Sequence, residues 1–411
     1  MDSEEKKVNR HGRRAVPAQY RRKRPTKKLI IIGAIVLCAV LALASALIFG
    51  LGGDDNNSAQ SAPPAPDKVI HLVAGGDINI TDKSIAAGQT AGGYDYSQVF
   101  KDVLPVLASG DVTVLNFEGV LSGNAYGTQT KSAPKELLTA LKNAGVDVLQ
   151  TANSYSIFDG LRGLNATLQG IKSAGMTPLG TYASNSEFEK SGGYMIWEVQ
   201  GIKVAMMAFT KGMDGMGLPA GSENCVNLLY DDYNSTYQKV NTDGITQVVR
   251  NAAAHEPDVM IALVHWGSEF NDQISKTQKK ICTLLQDEGV DAIIGTHPHY
   301  VQKMEHDPLS GKFVAWSLGD FYGDGETAGT NYSVLLDLEI TQDGATGKTK
   351  VTGFDYVPIY LEKDEDGAMR LLRIEEAIAG YENRYLDRVS EETYNAMKTA
   401  LERIKSRVGV K

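Results

Sequence analysis

Apolar runs of strand length alternate with helical patterns along most of the chain, and this alternation restricts the possible folds more than any other feature. One helical segment follows Pro134 and ends before Gly145, and two others span Leu161–Ala174 and Ser275–Glu288. A glycine follows each segment, as is common just past the end of a helix. The strand candidates are Val69–Ala74, Val112–Asn116, Val146–Leu149, Tyr194–Val199, Lys203–Phe209, Val259–Val264, Asp291–Ile294 and Phe313–Trp316. Strands that alternate with helices predict an α/β fold with largely parallel pairing.

The pattern changes beyond Val351. Ser390 can cap a helix whose first turn carries two glutamates. Apolar residues then recur at helical spacing and form one stripe, which consists of Tyr394, Met397, Leu401, Ile404 and Val408. Core packing explains such a stripe better than a partner-binding helix does, so we predict a C-terminal helical extension, residues 362–411, packed on the body.

An uncharged apolar stretch of 23 residues, Leu29–Leu51, is long enough to cross a hydrocarbon core of about 30 Å. Residues 1–28 contain eleven Lys and Arg against three acidic residues, so the positive-inside rule places this tail in the cytoplasm. A cleaved signal peptide is the alternative, but its apolar core is only about 7–15 residues long. We therefore expect a single-pass anchor in the cell membrane, a flexible linker over residues 52–67, and an extracytoplasmic body.

Charge is distributed unevenly between the tail and the rest of the chain. The whole chain carries −9 and residues 1–28 carry +8, which leaves −17 for the remainder. Such an acidic body argues against sequence-independent nucleic-acid binding, which needs a basic surface. Cysteine is scarce: Cys38 lies in the apolar stretch, and Cys225 and Cys282 outside it can form at most one disulfide.

Uncommon polar residues follow five of the predicted strands. They are Asp77, Asn116 with Glu118, Asn153, His265, and His297 with His299. In open α/β sheets ligands bind in the crevice beyond the carboxyl ends of the strands, so these side chains are expected to meet there. Carboxylates and imidazoles bind divalent metal ions, which polarise phosphoryl or carbonyl oxygens and activate bound water.

Each of these residues also has an ordinary structural explanation. Asp77 follows two glycines and can cap a turn, Glu118 can lie at the surface, and a single His265 is more often a core histidine than a ligand. His297-Pro-His299 is more informative, because proline restricts the residue before it and holds the two imidazoles in a defined relation. Their common position at strand ends favours one shared site. The sequence has no Ser-His-Asp order, Gly-x-Ser-x-Gly elbow or P-loop.

At these residues the sequence resembles the bacterial CapA family of poly-γ-glutamate capsule synthesis proteins, a branch of the calcineurin-like metallophosphoesterases. The resemblance covers Lys68 to Leu361 and follows six family motifs in order. The family has Gly-Asp, Asn-Leu-Glu, Ala-Asn-Asn-His, His-Trp-Gly-x-Glu-Tyr, Gly-x-His-Pro-His and Ser-Leu-Gly-Asn-Phe. The corresponding segments here are Gly76-Asp77, Asn116-Phe117-Glu118, Ala152-Asn153-Ser154-Tyr155, His265-Trp266-Gly267-Ser268-Glu269-Phe270, Thr296-His297-Pro298-His299 and Ser317-Leu318-Gly319-Asp320-Phe321.

This resemblance implies an α/β, metallophosphoesterase-like two-sheet sandwich flanked by helices, which covers residues 68–361 and is preceded by one transmembrane helix. It implies that one or two divalent metal ions (Mn, Zn, Mg or Fe) bind to Asp77, Glu118, His265, His297 and His299. It also implies a role in the synthesis or export of an anionic, poly-γ-glutamate-like envelope polymer at the membrane, with membrane synthase subunits as partners.

One motif departs from the family at a position that matters for catalysis. Ser154-Tyr155 stand where the family has Asn-His, a metal ligand and a residue that protonates the leaving group. Tyrosine can donate a proton but is a weak base at neutral pH, and the loss of a general acid costs about 10²–10⁴ in rate. We therefore expect either a slowed or altered metal-dependent hydrolase or transferase, with Tyr155 and His265 as catalytic residues, or a non-catalytic polymer-binding or scaffolding subunit. A phosphoesterase unrelated to capsule is a third possibility.

Further residues near these motifs are expected to contact substrate or to support the metal ligands. They are Asn79, Asn116, Asn153, Ser154, Trp266 and Glu269. Lys131, Lys211 and Lys303 lie near the motifs in sequence and are candidate contacts for an anionic substrate, although surface lysines are usually only solvated.

Overall fold

A computed structural model describes residues 65–123, 125–364, 366–384 and 389–409. The basic tail 1–28, the predicted membrane span 29–51 and most of the predicted linker 52–67 lie outside these residues. Within the described ranges, no helix combines the length and the apolarity that crossing a bilayer requires.

The described part of the chain alternates strands and helices as the sequence predicts. The strands are β1 (Lys68–Asn79), β2 (Gln89–Thr90), β3 (Gly93–Tyr94), β4 (Val112–Glu118), β5 (Val148–Gln150), β6 (Thr177–Leu179), β7 (Tyr194–Val199), β8 (Ile202–Thr210), β9 (Val259–His265), β10 (Ala292–Thr296), β11 (Met304–Asp307), β12 (Lys312–Ala315), β13 (Asp320–Tyr322), β14 (Tyr332–Gln342), β15 (Thr349–Lys363) and β16 (Met369–Arg373). The helices are α1 (Asp82–Ala86), α2 (Leu104–Leu107), α3 (Lys135–Asn143), α4 (Gly160–Ser173), α5 (Asn185–Ser191), α6 (Thr242–Ala253), α7 (Lys276–Asp287), α8 (Ile374–Glu382) and α9 (Glu391–Val408). Every strand candidate, and every helix predicted within the described residues, overlaps one of these elements.

The first sheet has eight strands in the order β16-β15-β14-β1-β4-β5-β6, with β13 also paired to β1. Strands β1, β4, β5 and β6 run parallel to one another, whereas β1, β14, β15 and β16 pair antiparallel. The expectation of largely parallel pairing is therefore wrong for this half of the sheet. A short turn joins β14 to β15, and a connection that short forces the two strands to run antiparallel.

The second sheet has six strands in the order β11-β12-β10-β9-β8-β7. Its four central strands are parallel, and β7 and β11 are antiparallel edge strands. This sheet packs against the first, because Leu72 of β1 shares a buried cluster with Val204 of β8 and Ile261 of β9. The neighbouring residue Val73 points to the opposite face, where it packs with Leu137 of α3. The molecule is thus a mixed-sheet α/β sandwich with helices outside.

The C-terminal helix packs on the body as the apolar stripe predicts. Ser390 caps α9 by accepting a hydrogen bond from the Thr393 N–H at 3.0 Å. Met397, Ile404 and Val408 are buried in the same cluster as residues of β14 and β15. The segment 362–411 is not helical throughout, since it also contains β16, which extends the first sheet.

Neither of the two cysteines in the described residues forms a disulfide. Cys225 and Cys282 are both free and buried, and they belong to separate hydrophobic clusters. The one disulfide that the sequence allowed, between Cys225 and Cys282, is therefore absent.

Candidate metal centre

Polar side chains from both sheets meet at the carboxyl ends of the parallel strands. Asp77 of β1 pairs with Asn116 of β4 in the first sheet, and His265 of β9 pairs with Thr296 of β10 in the second. The Asn116 side-chain nitrogen lies 3.3 Å from Nδ1 of His265, so the two sheets are in direct contact at this point. The predicted convergence of these residues in one crevice is what the structure shows.

A close approach of two backbone segments positions Asp77. The Asp77 N–H donates to the Gly319 carbonyl at 3.1 Å, and β13 begins at the next residue beside β1. A Cβ atom on Gly76 would lie 1.7 Å from that same carbonyl oxygen, so only glycine fits there. Gly76 therefore allows β13 to bring Asp320 into the crevice.

The Asp77 carboxylate lies at the centre of the cluster and is fully buried. It accepts hydrogen bonds from the Asn116 amide at 2.6 Å and from the His297 backbone N–H at 3.0 Å. One of its oxygens also lies 3.4 Å from Nδ1 of His299. Burial alone would raise the pKa of Asp77, but the hydrogen bond and charge of His299 outweigh burial and lower it. Asp77 is thus held as a carboxylate.

His265 is fully buried and is surrounded by polar partners. Its Nε2 lies 2.9 Å from a Glu118 carboxylate oxygen and 3.0 Å from the Ser154 hydroxyl. Its Nδ1 lies 3.0 Å from the Thr296 hydroxyl. The imidazole therefore links the Glu118 carboxylate of the first sheet to the second sheet.

His297 provides a buried ring nitrogen that has no hydrogen-bond partner among the described residues. Its ring centroid lies 4.5 Å from that of His265, and its Nδ1 is the unpaired atom. Burial, followed by the positive charges of His265 and Lys211, lowers the pKa of His297 well below its ordinary value. The ring is therefore neutral, and a lone pair is available to a metal ion.

His299 is oriented by a carboxylate that the sequence analysis did not single out. Its Nδ1 lies 2.7 Å from an oxygen of Asp320, and both side chains are less than a tenth exposed. Burial raises the pKa of Asp320 to about 7. Burial alone would lower the pKa of His299, but the charge and hydrogen bond of Asp320 raise it well above its usual range. The pair therefore keeps a proton at neutral pH, and Nδ1 of His299 is occupied, whereas its Nε2 has no hydrogen bond within the described part of the chain.

His297 and His299 both have left-handed backbones, with φ of 89° and 58°. Such conformations are uncommon for residues other than glycine and cluster at functional sites. Asp320 had one available signal in the sequence, because it stands in the Ser-Leu-Gly-Asp-Phe segment where the CapA motif has Asn.

Asn153 holds the carboxylate side of the crevice in place. Its amide donates to the Asn116 side-chain oxygen at 3.0 Å and to the Phe117 carbonyl at 2.6 Å. Its side-chain oxygen accepts the Tyr155 N–H at 3.0 Å, so the turn that carries Ser154 and Tyr155 is fixed to β4. Asn116, in turn, bonds Asp77, which makes Asn116 and Asn153 supports for a candidate ligand.

Tyr155 borders the crevice. Burial, together with the negative charges of Glu118, Glu269 and Asp214, raises the pKa of Tyr155. Its phenol therefore remains protonated at neutral pH and can donate a hydrogen bond.

The remaining predicted residues occupy different places. Glu269 is exposed, and a carboxylate oxygen of its side chain lies within 4.8 Å of ring nitrogens of His297 and His299. Asn79 is half-buried at the end of β1. Trp266 is fully buried and donates through its ring N–H to the Trp316 carbonyl at 2.9 Å, on the face of the second sheet away from the crevice.

Two of the three candidate lysines lie at the crevice. The Lys131 ammonium lies 4.5 Å from the ring centroid of Tyr155. The Lys211 ammonium donates to the Gly267 carbonyl at 2.9 Å, two residues after His265. Lys303 instead pairs with Glu305 at 2.7 Å on β11.

Within the described ranges, the donor atoms fall into three groups that can hold a metal ion. The groups are Glu118 with His265 and His297, Asp77 with Glu118 and His299, and Glu269 with His297 and His299, and the donor atoms within each group lie within 4.8 Å of one another. Carboxylates and neutral imidazoles are ordinary ligands of divalent ions. The unpaired Nδ1 of His297 is a second observation in favour of an ion, since buried polar atoms rarely lack a partner. The residues present therefore fit a divalent metal site.

Curated relatives of this chain are capsule proteins. The chain is 26% identical over 277 residues to the PGA biosynthesis protein CapA of Bacillus subtilis, covering 65% of this chain and 68% of the relative. It is 28% identical over 262 residues to the capsule biosynthesis protein CapA of Bacillus anthracis, covering 61% of this chain and 59% of the relative.

Similar solved structures include two phosphate-ester enzymes. The calcineurin-like phosphoesterase YfkN from Bacillus subtilis aligns at 15% identity with a TM-score of 0.45, covering 82% of this chain and 98% of that one. A phosphatase from Mycoplasma pneumoniae aligns at 14% identity with a TM-score of 0.43, covering 74% and 97%. Because both TM-scores are low, the strand order and pairing given above, and not these structures, describe the fold.

The family described as bacterial capsule synthesis protein PGA_cap matches residues 71–325. This range covers more than half of the chain and contains all the residues of the candidate metal centre. The chain therefore belongs to the bacterial capsule synthesis protein PGA_cap family.

Proposed function

We propose that this protein is a membrane-anchored, extracytoplasmic component of capsule synthesis or export whose crevice binds divalent metal and acts on an anionic envelope polymer. The observation that carries the proposal is the convergence of Asp77, Glu118, His265, His297 and His299 at the meeting point of the two sheets. Two curated relatives are named for capsule biosynthesis, and one of them for PGA, which supports a poly-γ-glutamate-like polymer as substrate.

These five side chains hold one or two divalent ions (Mn, Zn, Mg or Fe) in this proposal. A bound divalent ion would polarise a phosphoryl or carbonyl oxygen of the substrate and lower the pKa of bound water. Asn116 and Asn153 keep Asp77 aligned through the hydrogen bonds described above. Tyr155 donates a proton or a hydrogen bond to the leaving group, as a weaker acid than an imidazolium.

The membrane location rests on the sequence of residues 1–51. The apolar stretch Leu29–Leu51 would anchor the body, and the basic tail would remain in the cytoplasm. An anchored body lies close to the membrane subunits that synthesise or export the polymer, so we include such subunits as partners.

A second candidate function is binding or scaffolding without turnover. Ser154 favours it, because a hydroxyl is a poor replacement for an amide ligand and here it bonds His265 at 3.0 Å. In this alternative the crevice would still bind metal and polymer, but Tyr155 would not complete a catalytic cycle.

Elemental analysis of the full-length chain in detergent tests the metal site, and a phosphoester assay on the same sample tests turnover. We expect at least one equivalent of metal in the wild type and a loss of metal in His297→Asn. His255→Asn is the matched control, because His255 is an exposed histidine outside the crevice. A wild-type chain that takes up none of the four metals would refute the proposal, and a metal-loaded but inert chain would favour the scaffolding alternative.

A further inference from the structure

Half-buried lysines without a carboxylate partner distinguish the crevice from the rest of the described surface. Among the described residues, four lysines are half-buried rather than exposed: Lys131, Lys142, Lys211 and Lys312. Lys142 pairs with Asp147 at 2.9 Å and Lys312 pairs with Asp291 at 3.0 Å. Lys131 and Lys211 have no carboxylate within ion-pair distance among these residues, and both border the candidate metal centre.

Each of these two lysines is held in place by neutral groups instead. Lys131 lies over the ring of Tyr155, and Lys211 lies 4.7 Å from the ring centroid of Tyr237 while donating to the Gly267 carbonyl. A tyrosine face attracts an ammonium group but does not neutralise its charge. Both ammonium groups therefore keep hydrogen-bonding capacity for an anion.

The two lysines border one and the same crevice. The Lys211 backbone N–H donates to the His265 carbonyl at 2.8 Å, which places Lys211 beside a candidate ligand. Lys131 covers Tyr155, and the residue before it, Ser154, lies 3.0 Å from Nε2 of the same His265. The nearby negative groups are Glu269, Asp214 and the buried carboxylates of the metal centre.

We propose that Lys131 and Lys211 form an anion-binding subsite that holds a carboxylate or phosphate group of the substrate next to the metal centre. This inference rests on the proposed function for the class of its substrate, and bound metal ions would further offset the carboxylates of the crevice. The part of the chain after the basic tail carries −17, and these two lysines, which have no ion-pair partner among the described residues, supply the local attraction that an anionic substrate needs.

The test measures binding of defined probes to the full-length, metal-loaded chain. The probes are a γ-linked glutamate oligomer, the same oligomer with its side carboxylates amidated, and a short polyphosphate. We expect Lys131→Gln and Lys211→Gln each to weaken binding of a charged probe about tenfold, since hydrogen bonds to charged groups contribute that much. Which charged probe binds more tightly distinguishes carboxylate from phosphate. Lys131→Arg and Lys211→Arg, which keep the charge, should retain most of the affinity.

The chain offers a matched control in Lys398, whose ammonium lies 5.2 Å from the ring centroid of Tyr394 on α9. Lys398→Gln removes the same kind of contact outside the crevice and should leave binding unchanged. The inference is overturned if the crevice variants bind the charged probes as the wild type does, or lose the amidated probe equally. Metal content is measured in every sample. If the chain takes up no metal but its binding of the charged probes still depends on the two lysines, this inference holds and the proposed function is refuted. If the chain binds neither charged probe, the inference is overturned.

Discussion

Replacement of Asp320 by Asn should weaken metal binding, although Asp320 is not one of the proposed ligands. Its carboxylate lies 2.7 Å from Nδ1 of His299, so it fixes the ring, and Nε2 would be the nitrogen left to hold a metal ion. An Asn at this position can still accept that hydrogen bond but carries no charge. Loss of such a supporting partner costs about 10- to 100-fold in metal affinity, or about 1.4–2.7 kcal/mol.

The pH dependence gives this prediction a direction that a general loss of stability would not. In the metal-free wild type, Asp320 raises the pKa of His299, so metal must displace a proton. Affinity then falls about tenfold for each pH unit below that pKa. In Asp320→Asn the pKa of His299 drops, because burial still lowers it and the strongest of the charges that opposed burial is gone, which leaves Asp77 and Glu118. The variant should therefore bind more weakly at high pH, and the two affinity curves should converge as the pH falls.

The assay is titration of Zn²⁺ or Mn²⁺ into the metal-free full-length chain at several pH values. The control is Asp337→Asn, which removes a carboxylate 2.9 Å from Nδ1 of His71 in a pair that is 35–41% exposed and away from the crevice. Equal affinities for Asp320→Asn and the wild type at high pH, or two curves that stay parallel, would refute the reasoning. The metal-free variant should also unfold at a lower temperature, since removal of one partner of a buried ion pair costs about 3–5 kcal/mol, but a loss of stability would not make the two affinity curves converge.

Three further predictions concern the crevice and the core. His297→Asn should abolish one metal equivalent yet leave the unfolding temperature of the metal-free chain nearly unchanged. The reason is that Nδ1 of His297 has no hydrogen bond to lose among the described residues, and Asn tolerates a positive φ. A large drop in that temperature would show that His297 has a structural role. The double change Ser154→Asn with Tyr155→His should raise phosphoesterase activity by a factor of about 10²–10⁴, which is the contribution of a general acid. A steady-state rate that stays at background would indicate that the crevice no longer supports turnover. Cys225 and Cys282 should react with a thiol reagent only on unfolding, because burial raises the pKa of both thiols and brings that of Cys282 to about 12. Fast labelling of the native chain would contradict their burial.

The position of a residue relative to the end of a strand explains most of the site residues that the sequence predicted and some of those that it missed. His265 and Trp266 are adjacent at the end of β9, so their side chains point to opposite faces of the sheet. His265 therefore enters the crevice, whereas Trp266 packs in the outer cluster and stacks on Trp316. A motif that contains both residues does not reveal which one faces the ligand.

The antiparallel half of the first sheet was harder to predict for a related reason. β14 pairs with β1, which lies far away in the sequence, and β15 and β16 extend the sheet from β14 through short connections. Asp320 shows the same limitation on the scale of one residue. It reaches His299 only because β13 pairs with β1 beside Gly76.

The sequence by itself determined the parallel strands, the helices that flank them and the set of ligand types at the strand ends. It could do so because the apolar periodicity of strands and helices, and the residues that directly follow a strand, are recognisable within a short stretch of sequence. Only the tertiary structure decided that Asp77, Glu118 and the three histidines share one crevice and that Asp320 supports His299. It also decided that two half-buried lysines there have no carboxylate partner among the residues that the structure describes. These are contacts between segments far apart in the sequence, and their distances follow from how the two sheets pack.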